Sequence, residues 1–209
     1  MNIKKAERLN KKIRMGLFAP SGAGKTYSAL VVAKGLCGDM SKVVVIDTEN
    51  GSAEDYADKF PGYSTLQLEP PYEPQRYINA LYACEQAGFE VVIIDSISHV
   101  WIGDGGCLDM QTKYGGRYQD WAKVTPQWNK LIDKIRYSSS HVICCGRAKQ
   151  EHAMVEDSKG KVEVKKMGMG AFVSVAKGSE ESGKLIIIEY RGNHAKDKQP
   201  YVLVGKGIT

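Results

Sequence analysis

Hydrophobic positions along the chain follow two patterns. Adjacent apolar residues cluster at 15–18, 43–46, 91–94 and 142–145. Strands covered by helices on both faces of a parallel sheet read this way. Elsewhere the apolar positions recur at helical steps. Tyr77, Ile78, Leu81, Tyr82 and Cys84 form one such set; Trp121, Val124, Trp128, Leu131, Ile132 and Ile135 form another. Each set falls on one helix face. Pro74 suits the first position of the earlier helix, and Gly88 ends it. Strands alternating with helices predict an α/β fold with a mostly parallel sheet. Residues 151–166 alternate around Asp157-Ser158-Lys159-Gly160 and predict a hairpin or a mobile loop. Residues 172–175, 185–190 and 201–204 predict short C-terminal strands, while the glycine-rich stretch 97–120 reads as a long irregular loop. No linker or repeat divides the chain, so one domain over 1–209 is expected, with a basic arm at 1–12.

The turn after the first strand carries the most specific chemistry. Pro20-Ser21-Gly22-Ala23-Gly24-Lys25-Thr26-Tyr27 stands between the apolar run 15–18 and a helical stretch over 27–36. Strand, glycine turn, Lys-Thr and helix, in that order, form a phosphate-binding loop. Glycines let backbone N–H groups face a polyphosphate, and the helix N-terminus adds partial positive charge. Lys25 is then placed to reach the β- and γ-phosphates of ATP, and the Thr26 hydroxyl to hold Mg²⁺. Such loops usually open with glycine, and here that position is Ala19. Alanine fits if the backbone there needs no positive φ.

Two buried runs end in acids. Asp47 and Glu49 follow the second run, and Asp95 ends the third. Ligands of open α/β sheets bind outside the carboxyl ends of strands. A carboxylate beside a phosphate loop can activate a water, which suits Glu49, and Asp95 suits the metal side of the site. Solvated loop acids are the plainer alternative for Asp47 and Glu49. Ser96 is placed to contact the water or the metal shell. Arg147, Lys149 and Gln150 follow the fourth run, across the nucleotide from Glu49, and spacing does not rank them as sensors of the γ-phosphate. His99 has no second ligand at a metal-binding spacing and reads as a hydrogen-bonded loop residue.

Composition then narrows the picture. No apolar run approaches the roughly 18 residues of a membrane span. The polar N-terminus shows no apolar signal region, so a cytoplasmic protein is expected. The five cysteines have no metal-ligand spacing and read as reduced thiols. The net charge of +5 permits nucleic-acid binding without establishing it. Lys113 and Arg117 sit among aromatics, and Lys159, Lys161, Lys165 and Lys166 lie on the expected hairpin. Basic residues among aromatics suit single-stranded DNA, and solvated faces are the alternative. The arm at 1–12 is either a backbone-binding segment or a solvated helix.

Several stretches in order resemble a RecA-like ATPase core. PSGAGKTYSAL (20–30), IDTE (46–49), IDSISHVW (94–101), WAKVTPQWNKLID (121–133) and RAKQE (147–151) carry the likeness. They are most similar to a phage-encoded group of small RecA-like P-loop ATPases of the single-strand annealing and recombination type. The resemblance covers about 13–166, and residues 171–183 depart from the group's pattern. It implies a RecA-like core, with Glu49 as the base that activates water. Tyr56 would be the adenine platform and Asp95 would stand at Mg²⁺; Gln150 is expected at the nucleotide from its place after the run 142–145. Lys196 and Lys198, in HAKDKQP (194–200), would act in trans on a neighbouring subunit's γ-phosphate, in a filament or ring. It also implies two DNA-lining loops, near 103–118 and 152–170, and a bacterial cytoplasm infected by phage.

Together these readings predict an ATP-hydrolysing protein that binds single-stranded DNA and promotes annealing or recombination, with a single-strand DNA-binding protein as a further partner. Two rivals share the phosphate loop. A nucleotide switch or partner-loading ATPase would not touch DNA itself. A small-molecule kinase would need an arginine-rich lid, and the arginines here are scattered.

Overall fold

The structure is a computed structural model. It describes Lys5, residues 12–147, and the backbone course of strands Lys149–Glu156, Val162–Gly170 and Leu185–Glu189. In chain order, β1 (Arg14–Ala19) leads through the glycine turn into α1 (Lys25–Cys37). Then come β2 (Val43–Asp47), β3 (Ser64–Gln67), α2 (Pro74–Gln86) and β4 (Val91–Asp95). Short helices α3 (His99–Ile102) and α4 (Cys107–Lys113) precede α5 (Trp121–Arg136) and β5 (His141–Arg147). The strands of 149–156, 162–170 and 185–189 are β6, β7 and β8.

The main sheet has six strands in the order β3-β2-β4-β5-β1-β8, and every pairing in it is parallel. The α/β reading with a parallel sheet flanked by helices therefore holds. β6 and β7 form a separate antiparallel pair, as the alternation around 157–160 predicted. The expected strands at 172–175 and 201–204 lie outside the described residues. So does the 1–12 arm, apart from Lys5 and Lys12, which are both exposed.

Period-2 alternation sorts each buried strand into two cores. Val44, Ile46, Val92, Ile94, Val142 and Cys144 face α2 and α5. Val43, Val45, Val91, Ile93, Ile143 and Cys145 face α1. Adjacent Cys144 and Cys145 thus point to opposite sides, and burial pushes the Cys144 thiol up to about 12. Neither is poised to react as a thiolate. Burying one large aliphatic side chain contributes about 1.5–3 kcal/mol. Leu17, Ile46, Ile93 and Ile143 are all fully covered.

The stretch 97–120 departs from its expected irregularity. It holds α3, α4 and a short 3₁₀ turn at Tyr118–Asp120. Its glycines serve close packing. A Cβ on Gly106 would lie 2.8 Å from the His99 carbonyl oxygen, and one on Gly103 would lie 2.7 Å from the Tyr72 ring. Trp101 stacks on Trp121 at 5.3 Å and meets Trp128 edge-on at 5.2 Å, so these rings anchor the stretch to α5 as core.

Phe18 is the tightest point of the sheet. A Cβ on Gly146 would sit 2.4 Å from its ring, and one on Gly16 would sit 2.6 Å away. Gly146→Ala should therefore lower stability by about 1–3 kcal/mol, through overpacking against a buried ring. Urea unfolding of the variant beside the unmodified chain measures this. An unchanged midpoint would show that Phe18 moves aside without cost.

Candidate functional site

The site is assembled at the carboxyl edge of the sheet. The chain leaves β1, crosses through α1 and lands on β2; β4 and β5 later fill the gap between them. Parallel register aligns Asp47 with Asp95, Asp95 with Cys145, and Ala19 with Arg147. Last residues of four strands thus share one edge, the usual ligand position in such sheets.

Ala19 is fully buried and is still the last residue of β1. Asn50 is the sole non-glycine residue with positive φ among the described residues, so Ala19 needs no glycine. Beyond it, Gly22 and Gly24 take φ of 76° and 81°, where a side chain would be strained. A Cβ on either would meet nothing within 4 Å, so both face open space. Lys25 is buried, and its Nζ donates to the Pro20 carbonyl oxygen across the turn at 3.0 Å. α1 starts at Lys25, so its unpaired first-turn N–H groups point into this hollow. Open glycine backbone, an enclosed ammonium and a helix start fit a polyphosphate.

Next to the hollow, the Thr26 hydroxyl donates to Asp95 Oδ2 at 2.5 Å. Asp95 is buried, and burial pushes its carboxyl above the usual aspartate range. Glu49 and Asp47 add to that rise, while the Thr26 bond and Lys25 oppose it. A hydroxyl and a carboxylate in contact are hard oxygen donors, and they fit Mg²⁺. Ser96 does not join them: its Oγ accepts from the Ser98 N–H at 3.1 Å, inside the turn.

Glu49 stands on the loop after β2, and buried Asp47 shapes that loop. Asp47 accepts from the Glu49 N–H at 2.5 Å and from the Ala53 N–H at 3.2 Å. It is therefore a buried, hydrogen-bonded residue and not a solvated loop acid. Thr48 ties the loop to β4: its N–H donates to the Asp95 carbonyl at 2.7 Å, and its Oγ1 accepts from the Ser96 N–H at 2.8 Å. The same oxygen lies 2.7 Å from His99 Nδ1, so His99 is the hydrogen-bonded residue its isolation suggested. Thr48 and Ser98 went unnoticed in the sequence. Small hydroxyl residues after a strand have no distinctive spacing, although "DTE" and "DSIS" mark where they fall.

Arg147 closes the other side. Its Nε donates to Glu49 Oε1 at 3.0 Å, and its Nη2 to Oε2 at 2.7 Å. That hydrogen bond is the main reason its guanidinium holds its proton more tightly than usual. Among the three basic and polar candidates after the fourth strand, geometry joins Arg147 to Glu49. Lys149 and Gln150 lie on β6, whose side chains are outside the described residues, as are those of Lys165 and Lys166 on β7. Lys159, Lys161, Lys196 and Lys198 also lie outside the described residues. Tyr56 is half-buried and meets the Tyr27 ring at 6.1 Å, so the two aromatic candidates do come together at the start of α1. Lys113, the last residue of α4, and Arg117, on the connection to α5, are both exposed.

Residues 11–187 match a family described as an AAA domain. The chain belongs to that family. The family fits an ATPase-type P-loop NTPase fold, which agrees with the parallel sheet and the glycine turn before α1. Part of this AAA-domain chain is also similar to probable cytosol aminopeptidases. The one from Saccharophagus degradans is 56% identical over 50 residues, which is 24% of this chain and 10% of that protein. The one from Alkalilimnicola ehrlichii is 60% identical over 47 residues, 22% of this chain and 9% of that protein. The chain spans about a tenth of the length of these curated relatives, so the likeness is to one segment of them. Among the described residues no helix is long and apolar enough to cross a membrane.

The buried Asp95 makes a test of the AAA-domain site. Its folded carboxyl titrates above the unfolded one, whose ordinary value is 3.8. As pH rises, the unfolded state loses its proton first, so folded stability falls across the window between the two values. Asp95→Asn removes that loss. The variant should melt higher than the unmodified chain at neutral pH, with a gap that narrows toward about pH 4. Thermal melts across pH measure it, and a gap independent of pH would contradict the assignment.

Proposed function

We propose that this AAA-domain protein hydrolyses ATP in the cytoplasm, and that it binds single-stranded DNA and promotes annealing or recombination. The observation that carries the reading is the convergence of Lys25, Thr26, Asp95 and Glu49 around one open glycine turn. Loop N–H groups and Lys25 would hold the phosphates of ATP, with Tyr27 and Tyr56 beside the base. Thr26 and Asp95 would hold Mg²⁺, which when bound neutralises phosphate charge. Glu49 orients a water in line with the terminal phosphorus. The water oxygen bonds to phosphorus, its proton passes to the Glu49 carboxylate, and the bond to the β–γ bridging oxygen breaks. The electron pair leaves with ADP. A phosphate loop after β1 paired with a separate acid after β2, at the same edge of the sheet, favours water over another acceptor, which sets hydrolysis above a kinase.

The DNA part rests on the segment between α4 and α5. Tyr118 is 92% exposed and Tyr114 is 42% exposed, with Lys113 and Arg117 beside them. Lys123 Nζ lies 5.2 Å over the Tyr114 ring. Exposed rings among cations are what base stacking on single strands uses. The chain from Thr48 to His99 runs from the Glu49 loop to α3, and so supports a link between nucleotide state and this segment.

Glu49→Gln should keep ATP binding and lower the hydrolysis rate by about 10²–10⁴-fold, as expected for loss of a general base. Single-stranded DNA should raise the turnover of the unmodified chain, and a Lys113→Ala, Arg117→Ala variant should bind it more weakly, with a shallower salt dependence. Phosphate release and fluorescence anisotropy give both readouts. Hydrolysis indifferent to DNA, with no DNA binding at low salt, would leave an ATPase without the recombination role.

A further inference from the structure

Thr48 directly precedes Glu49 and is buried. Its hydroxyl meets three groups at once. Oγ1 accepts from the Ser96 N–H at 2.8 Å, lies 2.7 Å from His99 Nδ1, and lies 3.4 Å from the Ser96 carbonyl oxygen. A hydroxyl has one hydrogen to give. The 2.7 Å contact is an ordinary length for an O–H donor, and the 3.4 Å contact lies beyond it. The Ser96 carbonyl also receives the Tyr77 hydroxyl. Thr48 therefore donates to His99 Nδ1, and the ring carries its own proton on Nε2. Burial is the main cause that holds His99 below the ordinary histidine range, so Nδ1 stays free to accept at neutral pH. The ring is held on its face as well. It stacks on Tyr72 at 5.1 Å, and the Tyr72 hydroxyl donates to the Thr48 carbonyl oxygen at 3.5 Å.

We infer that His99 is a positioning residue for Glu49, acting through the Thr48 hydroxyl. The inference rests on the ATPase reading above. The geometry of the loop carries it. Before Glu49, the chain is tied at two side chains: Asp47 accepts from loop N–H groups, and Thr48 bridges the Ser96 N–H and His99. After Glu49, Asn50 and Gly51 take φ of 57° and 85°, so the chain turns at once. A non-glycine residue has only a narrow allowed region at positive φ. Asn50 therefore takes up little of any shift that begins at Thr48, and the shift falls on Glu49. His99 fixes the side chain next to the base, although it is 50 positions away from it in the chain.

Loss of the Nδ1 acceptor has a definite geometric consequence. The Thr48 hydroxyl must then turn to the Ser96 carbonyl, 3.4 Å away. A bond of ordinary length forms there only if Thr48 closes by roughly half an ångström. The Glu49 peptide moves with it. Misplacing a catalytic group by about 1 Å costs on the order of 10²-fold in rate, so a shift of half that size is felt in turnover. The groups proposed to hold nucleotide are bonded elsewhere: Lys25 to the Pro20 carbonyl and Thr26 to Asp95. The loss therefore falls on the chemical step and spares ATP binding. A role for His99 in stability alone has a different signature, because the stack on Tyr72 needs a flat ring and not an acceptor.

Three substitutions in the full chain separate these roles. His99→Phe keeps a ring for Tyr72 and removes the acceptor. Thr48→Val keeps the volume and removes the hydroxyl. His99→Asn loses the ring but offers Oδ1 where Nδ1 stood. Phosphate release from Mg²⁺-ATP gives kcat and KM, and calorimetry gives the ATP dissociation constant. His99→Phe and Thr48→Val should each lower kcat about 10- to 10²-fold, with KM and ATP affinity changed less than about threefold. The double variant should be no slower than the slower single one, because both remove the same bond. His99→Asn should recover most of the loss. An unchanged kcat in His99→Phe would overturn the role. So would a His99→Asn variant as slow as His99→Phe, or losses that multiply in the double variant. If circular dichroism shows His99→Phe to be unfolded, Thr48→Val and His99→Asn decide alone: the first must lose kcat without losing ATP, and the second must keep it. An unmodified chain that releases no phosphate would instead overturn the ATPase reading, and this role with it.

Discussion

Parallel pairing brings the carboxyl ends of β2, β4, β5 and β1 to one edge, and their last side chains must then share a small volume. In this chain that volume receives Asp47, Asp95 and Arg147 directly, and Lys25 and Glu49 one step further on. Buried charge is costly unless it is bonded. Each of these groups accordingly has a partner: Asp47 takes two loop N–H groups, Asp95 takes the Thr26 hydroxyl, Lys25 the Pro20 carbonyl and Glu49 the Arg147 fork. No buried side-chain nitrogen or oxygen lacks a partner among the described residues. The resting site is electrostatically satisfied within itself, and any ligand must compete with those bonds.

A second set of bonds joins the strand ends into one frame. Thr48 bonds to the turn after β4 and to His99, Ser98 accepts from the Arg147 N–H, and the Ile97 N–H donates to the Cys145 carbonyl. The loops after β2 and β4 and the carboxyl end of β5 are therefore cross-braced. The same braces reach α3, and α3 packs through Trp101 on Trp121 at the start of α5. A change at Glu49 thus has a continuous route of bonded and packed groups toward the exposed aromatics near Tyr118. That route is a physical connection between the strand ends and the start of α5.

The sequence made the sheet legible because burial on both faces forces unbroken apolar runs, which few other structures need. Residues 43–46, 91–94 and 142–145 read as strands for that reason. The phosphate loop was equally legible, since Gly22, Gly24 and Lys25-Thr26 serve backbone geometry and charge that tolerate few substitutes. The stretch 97–120 misled because glycine marks close approach as well as turns. Gly103 and Gly106 lie against the Tyr72 ring and the α3 carbonyls, contacts between residues far apart in the chain or folded back on it.

From residues alone came the fold class, the strand that ends in each acid, and the glycine turn that leads into α1, because local spacing and periodicity encode them. Tertiary structure alone decided which groups pair. Whether Asp47 or Glu49 faces the site depends on loop N–H groups that converge only after β2 and β4 align. Glu49 and Arg147 are 98 positions apart, and only the insertion of β5 between β4 and β1 brings their charged ends within 2.7 Å. Spacing along a chain carries no record of such contacts, because they are set by strand order and parallel register.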